Sequence, residues 1–308
     1  MVLAGIQSDS IDAIVTDPPY GLGFGNHEWD SAVPGVEYWS AIIRAAKPGA
    51  YCLAFGGTRT MHRLAVAIED AGWQIRDTLM WVYGGGFPKS RRLDGVPDHL
   101  GQCLRPAWEP IIMARKPLVG TLAANYAAHG LGGLQIEASR IPFLDPRDEK
   151  QTKSRNQHGK RGSKSRQNRI FGGLKGARVD YNPSGRWPAN VATDGSEEVV
   201  GALPAGATRF FYRAKASQLD RNEGLPEGMQ STHPTVKPTA LMAWWVGLVT
   251  PPDGTVLDPF CGTGSTGKAA VMLGRRFVGV DLSEEYLTIA RHRLIHAACN
   301  AVATGVDS

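Results

Sequence analysis

The stretch VLDPFCGTGSTG, residues 256–267, constrains the fold more than any other part of the chain. A short apolar run that reads as a buried strand enters a glycine-rich turn with Gly262 and Gly264, and a helical pattern follows. Glycines allow a backbone to approach a ligand closely, and the start of a helix presents unpaired N–H groups. Asp281 ends a second predicted strand 23 residues after Asp258, the offset at which an acid typically binds a ribose hydroxyl. The pattern predicts a doubly wound α/β fold with a nucleoside-cofactor pocket.

The ending of this turn narrows the ligand class. It lacks the Gly-Lys-Ser/Thr sequence of a loop that cradles phosphates, so ATP is not expected. Spacing alone leaves a dinucleotide open as an alternative, as well as a turn whose glycines serve only helix packing.

Strand and helix patterns alternate in both outer parts of the chain. Within residues 1–118, strands are predicted at 11–16, 51–55, 75–83 and 110–114, with helices at 36–46 and 59–71. Within residues 231–300, strands are predicted at 254–260 and 275–282, with helices at 241–249, 265–273 and 283–296. Such alternation predicts parallel strands joined by right-handed crossovers. Residues 119–230 are rich in glycine and polar residues and predict an irregular, loop-rich insert, and residues 301–308 form a tail.

The first predicted strand ends in a second unusual motif, Asp17-Pro18-Pro19-Tyr20. The two prolines stop the strand and lack N–H groups, whereas their carbonyls remain. A carboxylate, rigid carbonyls and an aromatic ring at one strand tip would suit a planar ligand that carries an amino group. A plain strand-to-loop turn is the alternative.

Charge is segregated along the chain. Residues 147–178, here called the basic segment, contain eleven bases against two acids, a net charge of +9. The whole chain has a net charge of +5, so the residues outside the basic segment have a net charge of −4. A basic loop on an acidic body favours binding to a polyanion such as nucleic acid, and a solvated insert without a partner is the alternative. Phosphate contacts are predicted for seven bases in this segment and in GGGFPKSRR (84–92): Lys89, Arg91, Arg92, Lys160, Arg161, Lys164 and Arg166.

Other features limit the class of protein. The four cysteines lie far apart in sequence, which favours reduced thiols in a cytoplasmic protein over disulfides or a zinc site. No histidine or cysteine group has the spacing of metal ligands, so no metal is expected, His27 included. No apolar run approaches the ~20 residues that span a bilayer, so no membrane association is expected.

The two motifs together identify a family. Asp17-Pro18-Pro19-Tyr20 and Asp258-Pro259-Phe260-x-Gly262-x-Gly264 resemble motifs of the β-group amino-methylating DNA methyltransferases, which modify adenine N6 or cytosine N4. HPTVKP (233–238) resembles a third motif of that family, and the order of the three matches the β group. Five stretches are similar in sequence to methylases of phages and prophages: TDPPYG, AFGGTRT, GFPKS, RWPAN and HPTVKPTALM.

The resemblance implies a Rossmann-like S-adenosylmethionine-dependent methyltransferase fold with circularly permuted motif order. Residues 1–118 would form the catalytic half, 119–230 a target-recognition insert, and 231–300 the cofactor-binding half of the same domain. Double-stranded DNA would be the substrate, with its target base flipped out. Some members are dimers, so the resemblance leaves a homodimer open.

The resemblance also implies roles for the motif residues. Asp17 and the Pro18 carbonyl would accept hydrogen bonds from the exocyclic amine, within the rigid Pro18-Pro19 turn, and Tyr20, with Phe24 a further candidate, would stack on the base. Cofactor-binding roles fall on nine residues: Asp258, Phe260, Gly262, Thr263, Gly264, Asp281, His233, Pro234 and Lys237. The Trp-Asp pair in NHEWD (26–30) would order the catalytic loop, touch the target strand or have no special role.

Adenine N6 is the expected target, because relatives with Asp in this motif mostly act on adenine. N4 methylation of cytosine and a catalytically weak DNA-binding protein that keeps the fold stay open as alternatives. Carbon-5 methylation is disfavoured, since no Pro-Cys motif is present. A protein or ribosomal RNA methyltransferase usually carries Asn in place of Asp17. Relatives usually begin with a further strand bearing Gly-Asp, and residues 1–10 contain no Gly-Asp; we expect this to weaken cofactor binding.

Overall fold

The structure, a computed structural model, describes residues 2–23, 28–86, 97, 100, 103–158, 182–214 and 219–303, without the side chains of 154–158 and 303. Its centre is one eight-stranded sheet with the strand order β6-β5-β3-β4-β2-β1-β7-β8. The strands are β1 Ile11–Thr16, β2 Ala46–Phe55, β3 Gln74–Val82, β4 Trp108–Arg115, β5 Val191–Thr193, β6 Tyr212–Arg213, β7 Thr255–Asp258 and β8 Arg276–Gly279.

Helices connect and cover these strands. They are α1 Val36–Ala45, α2 Met61–Asp70, α3 Leu122–His129, α4 Pro146–His158, α5 Glu197–Ala202, α6 Thr239–Val249, α7 Ser265–Met272 and α8 Glu284–Ala303. A 3-10 turn, not a strand, occupies Val2–Gly5. The mostly parallel sheet with helices on its faces confirms the predicted Rossmann-like α/β class.

Strand β1 is an inner strand of the sheet, and all six of its residues are buried. It is parallel to β2 on one side and to β7 on the other. Successive side chains of a strand point to opposite faces. Accordingly, Ala13 and Val15 pack in a core cluster with α6 and α7, whereas Ile14 packs in a second cluster with α1 and α2. The strands that carry the two sequence motifs, β1 and β7, are thus adjacent in the sheet, in agreement with the permuted motif order.

One strand contradicts the expectation of uniformly parallel pairing. β4 lies between β2 and β3 and is antiparallel to both. The sequence between β3 and β4, which begins YGGGFPKS, carries no helical pattern. A parallel return usually carries a helix in its crossover connection, whereas an antiparallel return does not need one, so the antiparallel direction agrees with this sequence. This reversal brings the first residues of β4 to the edge of the sheet where β1 and β2 end.

The middle of the chain also contributes to the sheet. β5 pairs with β3, and β6 pairs with β5, both in parallel. Residues 119–230 thus extend the sheet at its far edge in addition to supplying loops. The division of the chain at residues 118, 230 and 300 stays a prediction.

Candidate active site

The carboxyl ends of β1 and β7 are joined by a buried hydrogen bond. The Thr16 hydroxyl donates to Asp258 Oδ1 at 2.6 Å, and the Thr266 hydroxyl donates to Asp258 Oδ2, also at 2.6 Å. The Phe260 N–H donates to the same carboxylate at 3.1 Å. These contacts hold the tip of β1, which carries Asp17, beside the turn that precedes α7.

A pocket opens between the two tips. Seven of the predicted site residues line it: Asp17, His233, Lys237, Asp258, Phe260, Gly262 and Thr263. The remaining lining residues are Thr235, Val236, Met242, Cys261, Ser265 and Thr266. Both sequence motifs therefore contribute to one cavity, although they are 241 residues apart, counted from Asp17 to Asp258. Pro18, Pro19, Tyr20, Pro234, Gly264 and Asp281, which the structure also describes, do not belong to the lining.

The glycine turn is shaped for close approach. Gly262 has φ +48° and Gly264 has φ +78°, both in the left-handed region that favours glycine. A Cβ at Gly262 would lie 3.2 Å from His233 Nε2, and one at Gly264 would lie 2.8 Å from the Cβ of Ala290. The turn thus packs against His233 on the pocket side and against α8 behind. The carboxylates of Asp17 and Asp258, together with apolar side chains of the lining, form a set of groups that fits a cationic nucleoside ligand.

Asp281 fixes the turn from β8. Its Oδ2 accepts the Gly262 N–H at 2.7 Å, and its Oδ1 accepts the Ser283 N–H at 2.9 Å. A carboxylate oxygen has two lone pairs, so both oxygens can accept one further hydrogen bond. Asp281 therefore orders the glycine turn and keeps lone pairs for a further hydrogen-bond donor.

Asp30 orders the loop that follows the catalytic motif. Its side chain is 2% exposed and accepts backbone N–H groups from Tyr20 at 2.7 Å, Gly21 at 2.9 Å and Leu22 at 3.2 Å. Three N–H donors on one carboxylate fix the direction of the chain after the prolines. Among the roles considered for the Trp-Asp pair, the structure supports loop ordering for the acid. Phe24 and His27 lie outside the described residues.

A buried polar cluster surrounds the Asp17 carboxylate. Lys237 Nζ lies 2.6 Å from Asp17 Oδ2 and 3.3 Å from Glu109 Oε2. The Tyr20 hydroxyl lies 2.8 Å from Asp17 Oδ1, 3.0 Å from Glu109 Oε2 and 3.2 Å from Lys237 Nζ. We call these four residues the Asp17 cluster. Tyr20 thus has its hydroxyl inside the cluster, and the residue packs against the core.

Burial and the neighbouring carboxylates determine the protonation states of Lys237 and Tyr20 in the cluster. Burial lowers the pKa of Lys237, but Asp17 and Glu109 raise it by more, so the ammonium stays charged. Burial, followed by the charges of Asp17 and Glu109, raises the pKa of Tyr20 well above its usual value, so the phenol stays protonated. The Lys237 ammonium therefore balances the charge of one of the two carboxylates beside it.

Burial also shifts the pKa of two other pocket side chains, His233 and Asp258. Burial lowers the pKa of His233, and its Nδ1 accepts the Thr235 N–H at 3.3 Å, so the neutral ring presents Nε2–H to the glycine turn. Burial raises the pKa of Asp258 to about 6, although hydrogen bonds from Thr16, Thr266 and Phe260 oppose the rise.

Sequence reasoning missed three residues that hold this site. Glu109 belongs to β4, whose antiparallel direction places its first residues at the catalytic edge. Arg293, fully buried on α8, donates to the Thr263 carbonyl at 2.7 Å. Lys268 on α7 pairs with Asp220 at 2.7 Å and with Glu223 at 2.6 Å. For Glu109 and Lys268 the available signal was a lone charged residue within an apolar or small-residue stretch, whereas Arg293 follows Arg291 and His292 and carries no such signal.

The predicted DNA contacts at Lys89, Arg91, Arg92, Lys160, Arg161, Lys164 and Arg166 lie outside the described residues. Within the described part of the chain, no group of three or more His, Cys, Asp or Glu side chains could hold a metal. Among the same residues, no helix is long and apolar enough to cross a membrane.

Comparison with known proteins assigns the family. The family model described as DNA methylase, of the N6/N4 methyltransferase type, matches residues 11–292. The chain belongs to this family of DNA methylases. Its methyl donor is S-adenosylmethionine, and it acts on DNA at an exocyclic amine, adenine N6 or cytosine N4.

Individual relatives are distant over the whole chain. The chain is 24% identical to the Type II methyltransferase M.HindIII of Haemophilus influenzae over 347 aligned positions, which cover 94% of this chain and 90% of the relative. It is 50% identical to M2.DpnII of Streptococcus pneumoniae over 62 residues, 20% of this chain and 23% of that protein. The solved structure of the cytosine-N4-specific PvuII DNA methyltransferase shares the fold, with a TM-score of 0.55 at 15% identity over 94% of this DNA methylase and 82% of the PvuII enzyme.

Proposed function

We propose that this DNA methylase transfers its methyl group to N6 of adenine in double-stranded DNA, with Asp17 as the acceptor that orients the amine. One observation carries the proposal: the hydrogen bond from Thr16 to Asp258 brings the catalytic tip of β1 and the glycine turn to one pocket. Aspartate at position 17 supports adenine over cytosine, because members of the family with aspartate there mostly act on adenine.

S-adenosylmethionine supplies an electrophilic methyl group on a sulfonium. Asp258, Phe260, Thr263 and Gly264, with His233 and Pro234, would hold the methionine end, and Asp281 would accept a ribose hydroxyl. The pocket lining and the left-handed backbone of Gly262, which packs against His233, support this assignment.

The chain's own residues would do the remaining work by positioning. Asp17 and the Pro18 carbonyl would accept the two N–H groups of the amine, which turns its lone pair toward the methyl group. The Pro18-Pro19 turn fixes both acceptors, and the Tyr20 ring would stack on the flipped base. Asp17 then lies where it can accept the proton that the methylated amine loses. Such catalysis rests on geometry and charge placement, without a covalent enzyme intermediate.

Contacts to the DNA backbone would come from the seven bases predicted above, in residues 84–92 and in the basic segment. The segregated charge supports this role, since phosphate contacts dominate the affinity of proteins for DNA. A homodimer stays a prediction, as does a cytoplasmic location.

The test is a nucleoside analysis. Genomic DNA from cells that express the protein is digested to nucleosides and compared with DNA from cells without it, by mass spectrometry. N6-methyladenine that appears only with the protein supports the proposal. N4-methylcytosine would refute the adenine assignment and keep the chemistry. Neither product, from folded and expressed protein, would favour the catalytically weak alternative.

A further inference from the structure

The Lys237 ammonium is buried among hydrogen-bond acceptors and aromatic rings. Its three hydrogens meet three acceptors: Asp17 Oδ2 at 2.6 Å, the Tyr20 hydroxyl at 3.2 Å and Glu109 Oε2 at 3.3 Å. The side chain is 8% exposed, and Nζ lies 5.4 Å from the ring centre of Tyr20 and 5.0 Å from that of Phe55. The nitrogen is therefore held at the carboxylate that the proposed function assigns to the target amine.

We propose that the Lys237 ammonium occupies the amine-binding face of Asp17 in the absence of DNA, and that a flipped base displaces it onto Glu109. Lys237 is then a built-in competitor for the target amine, and Glu109 is a positioning residue that receives the displaced charge. This inference rests on the proposed function of Asp17.

The competition follows from shared chemistry. An exocyclic amine and an ammonium are both nitrogen donors of hydrogen bonds, and a carboxylate accepts both. Both oxygens of Asp17 already accept a hydrogen bond, Oδ2 from Nζ at 2.6 Å and Oδ1 from the Tyr20 hydroxyl at 2.8 Å. A base amine that approaches Oδ2 from the pocket therefore competes with Nζ for the lone-pair direction that Nζ now fills.

Glu109 makes that movement feasible. A buried ammonium that loses its only carboxylate would be left as an uncompensated charge, which is strongly unfavourable. Glu109 is already 3.3 Å from Nζ, so a small shift exchanges one carboxylate for the other. The Tyr20 hydroxyl has a single hydrogen and lies within reach of Asp17 and Glu109 alike, at 2.8 Å and 3.0 Å. It can turn toward whichever carboxylate the ammonium leaves.

The experiment measures how much the target amine contributes to binding. The methylated position is first mapped by sequencing DNA from expressing cells. Affinity is then measured, with S-adenosylhomocysteine present, for two duplexes that differ at that position only, one with adenine and one with unsubstituted purine, which lacks the 6-amino group. For a cytosine target, the pair is cytosine and 2-pyrimidinone. The ratio of the two dissociation constants cancels every contribution that the amine does not make.

Two variants should move this ratio in opposite directions. In Lys237→Met the amine binds Asp17 without a competitor, so the ratio should rise about tenfold, as expected for one hydrogen bond to a charged group. In Glu109→Gln the ammonium lacks its second carboxylate and stays on Asp17, so the ratio should fall toward one. A purely structural role for Lys237 or Glu109 would weaken both duplexes equally and leave the ratio unchanged.

Thermal unfolding and the affinity for S-adenosylhomocysteine check that each variant is folded. A ratio that stays at the wild-type value in the folded Lys237→Met variant, or that falls, overturns the inference. If that variant does not fold, Glu109→Gln decides alone, and an unchanged or higher ratio overturns the inference. Failure of the proposed function looks different: the wild-type protein would then show neither methylation nor any preference for a duplex with the amine.

Discussion

Asp258 provides a direct test of how this site is built, because its carboxylate is buried at a cost. The residue is 2% exposed, and its oxygens receive hydrogen bonds from Thr16, Thr266 and the Phe260 N–H. Burial nevertheless raises its pKa from 3.8 to about 6. The charged form is therefore less favourable in the folded protein than in the unfolded chain.

The size and sign of this cost follow from linkage. A rise of about 2 pKa units corresponds to about 3 kcal/mol between the two protonation states. Because the folded pKa lies above the unfolded value, the folded protein binds more protons between them, and stability falls as pH rises through this window. The cost is absent below the unfolded pKa of 3.8, partly developed at about pH 5, and complete above the folded pKa of about 6.

Replacement of Asp258 with Asn removes the titration and keeps the shape. The free energy of unfolding of both proteins is measured by urea titration at about pH 5 and about pH 8. From the acidic to the basic condition, the wild-type protein should lose about 1 to 2 kcal/mol relative to Asp258→Asn. Asp253→Asn, which replaces an exposed carboxylate, controls for the loss of one negative charge.

The same variant should bind S-adenosylmethionine at least ~10-fold more weakly at about pH 8, since the cationic cofactor loses a buried carboxylate. Greater stability with weaker cofactor binding would show that the charge is retained for function. Unfolding free energies of wild-type and Asp258→Asn that run parallel from pH 5 to pH 8 would refute the reasoning, as would a wild-type protein that gains on the variant.

Three further predictions concern the glycine turn, the catalytic loop and the basic segment. Gly264→Ala should lower the free energy of unfolding by about 2 to 4 kcal/mol, from left-handed backbone strain and contact with Ala290. Gly274→Ala is the matched control, because Gly274 has φ +66° and open space at its Cβ; its free energy of unfolding should fall only by the backbone strain of about 1 to 2 kcal/mol. Equal losses of the two variants in urea titrations would contradict the packing argument. Asp30→Ala should reduce methylation at least ~10-fold and Asp30→Asn less, because the amide keeps the acceptor for two N–H groups; radiometric rates that match wild type would show that the loop needs no such anchor. In the basic segment, four bases are neutralised together: Lys160, Arg161, Lys164 and Arg166. The variant should bind DNA more weakly and with a flatter salt dependence, measured in a titration across salt concentrations. Unchanged affinity would make this stretch a passive linker.

Much of the fold was accessible from sequence because its signals are local. β1 was predicted at its observed bounds, since an apolar run followed by two prolines leaves little freedom. The strand, glycine turn and helix around Gly262 were likewise predicted, and the adjacency of β1 and β7 agrees with the permuted motif order. Each of these features depends on residues close together in the chain.

The missed features depend on pairing between distant segments. The antiparallel direction of β4 is set by its neighbours β2 and β3, and only that direction brings Glu109 to Asp17. The motif predicts a cofactor-binding role for Lys237, which lines the pocket, but it does not predict the contact of the ammonium with Asp17, 220 residues away. Periodicity within a segment carries no information on such contacts.

The central claim is that Asp17 performs the chemistry while the glycine turn holds the cofactor, and one pair of measurements on Asp17→Ala tests it. Transfer of radiolabelled methyl from S-adenosylmethionine to unmethylated DNA is measured beside equilibrium binding of the same cofactor. We expect transfer to fall to background and the dissociation constant to stay within about threefold of wild type, since the variant leaves Asp258 and the turn intact. Methyl transfer that persists in Asp17→Ala at a rate near wild type would contradict the account.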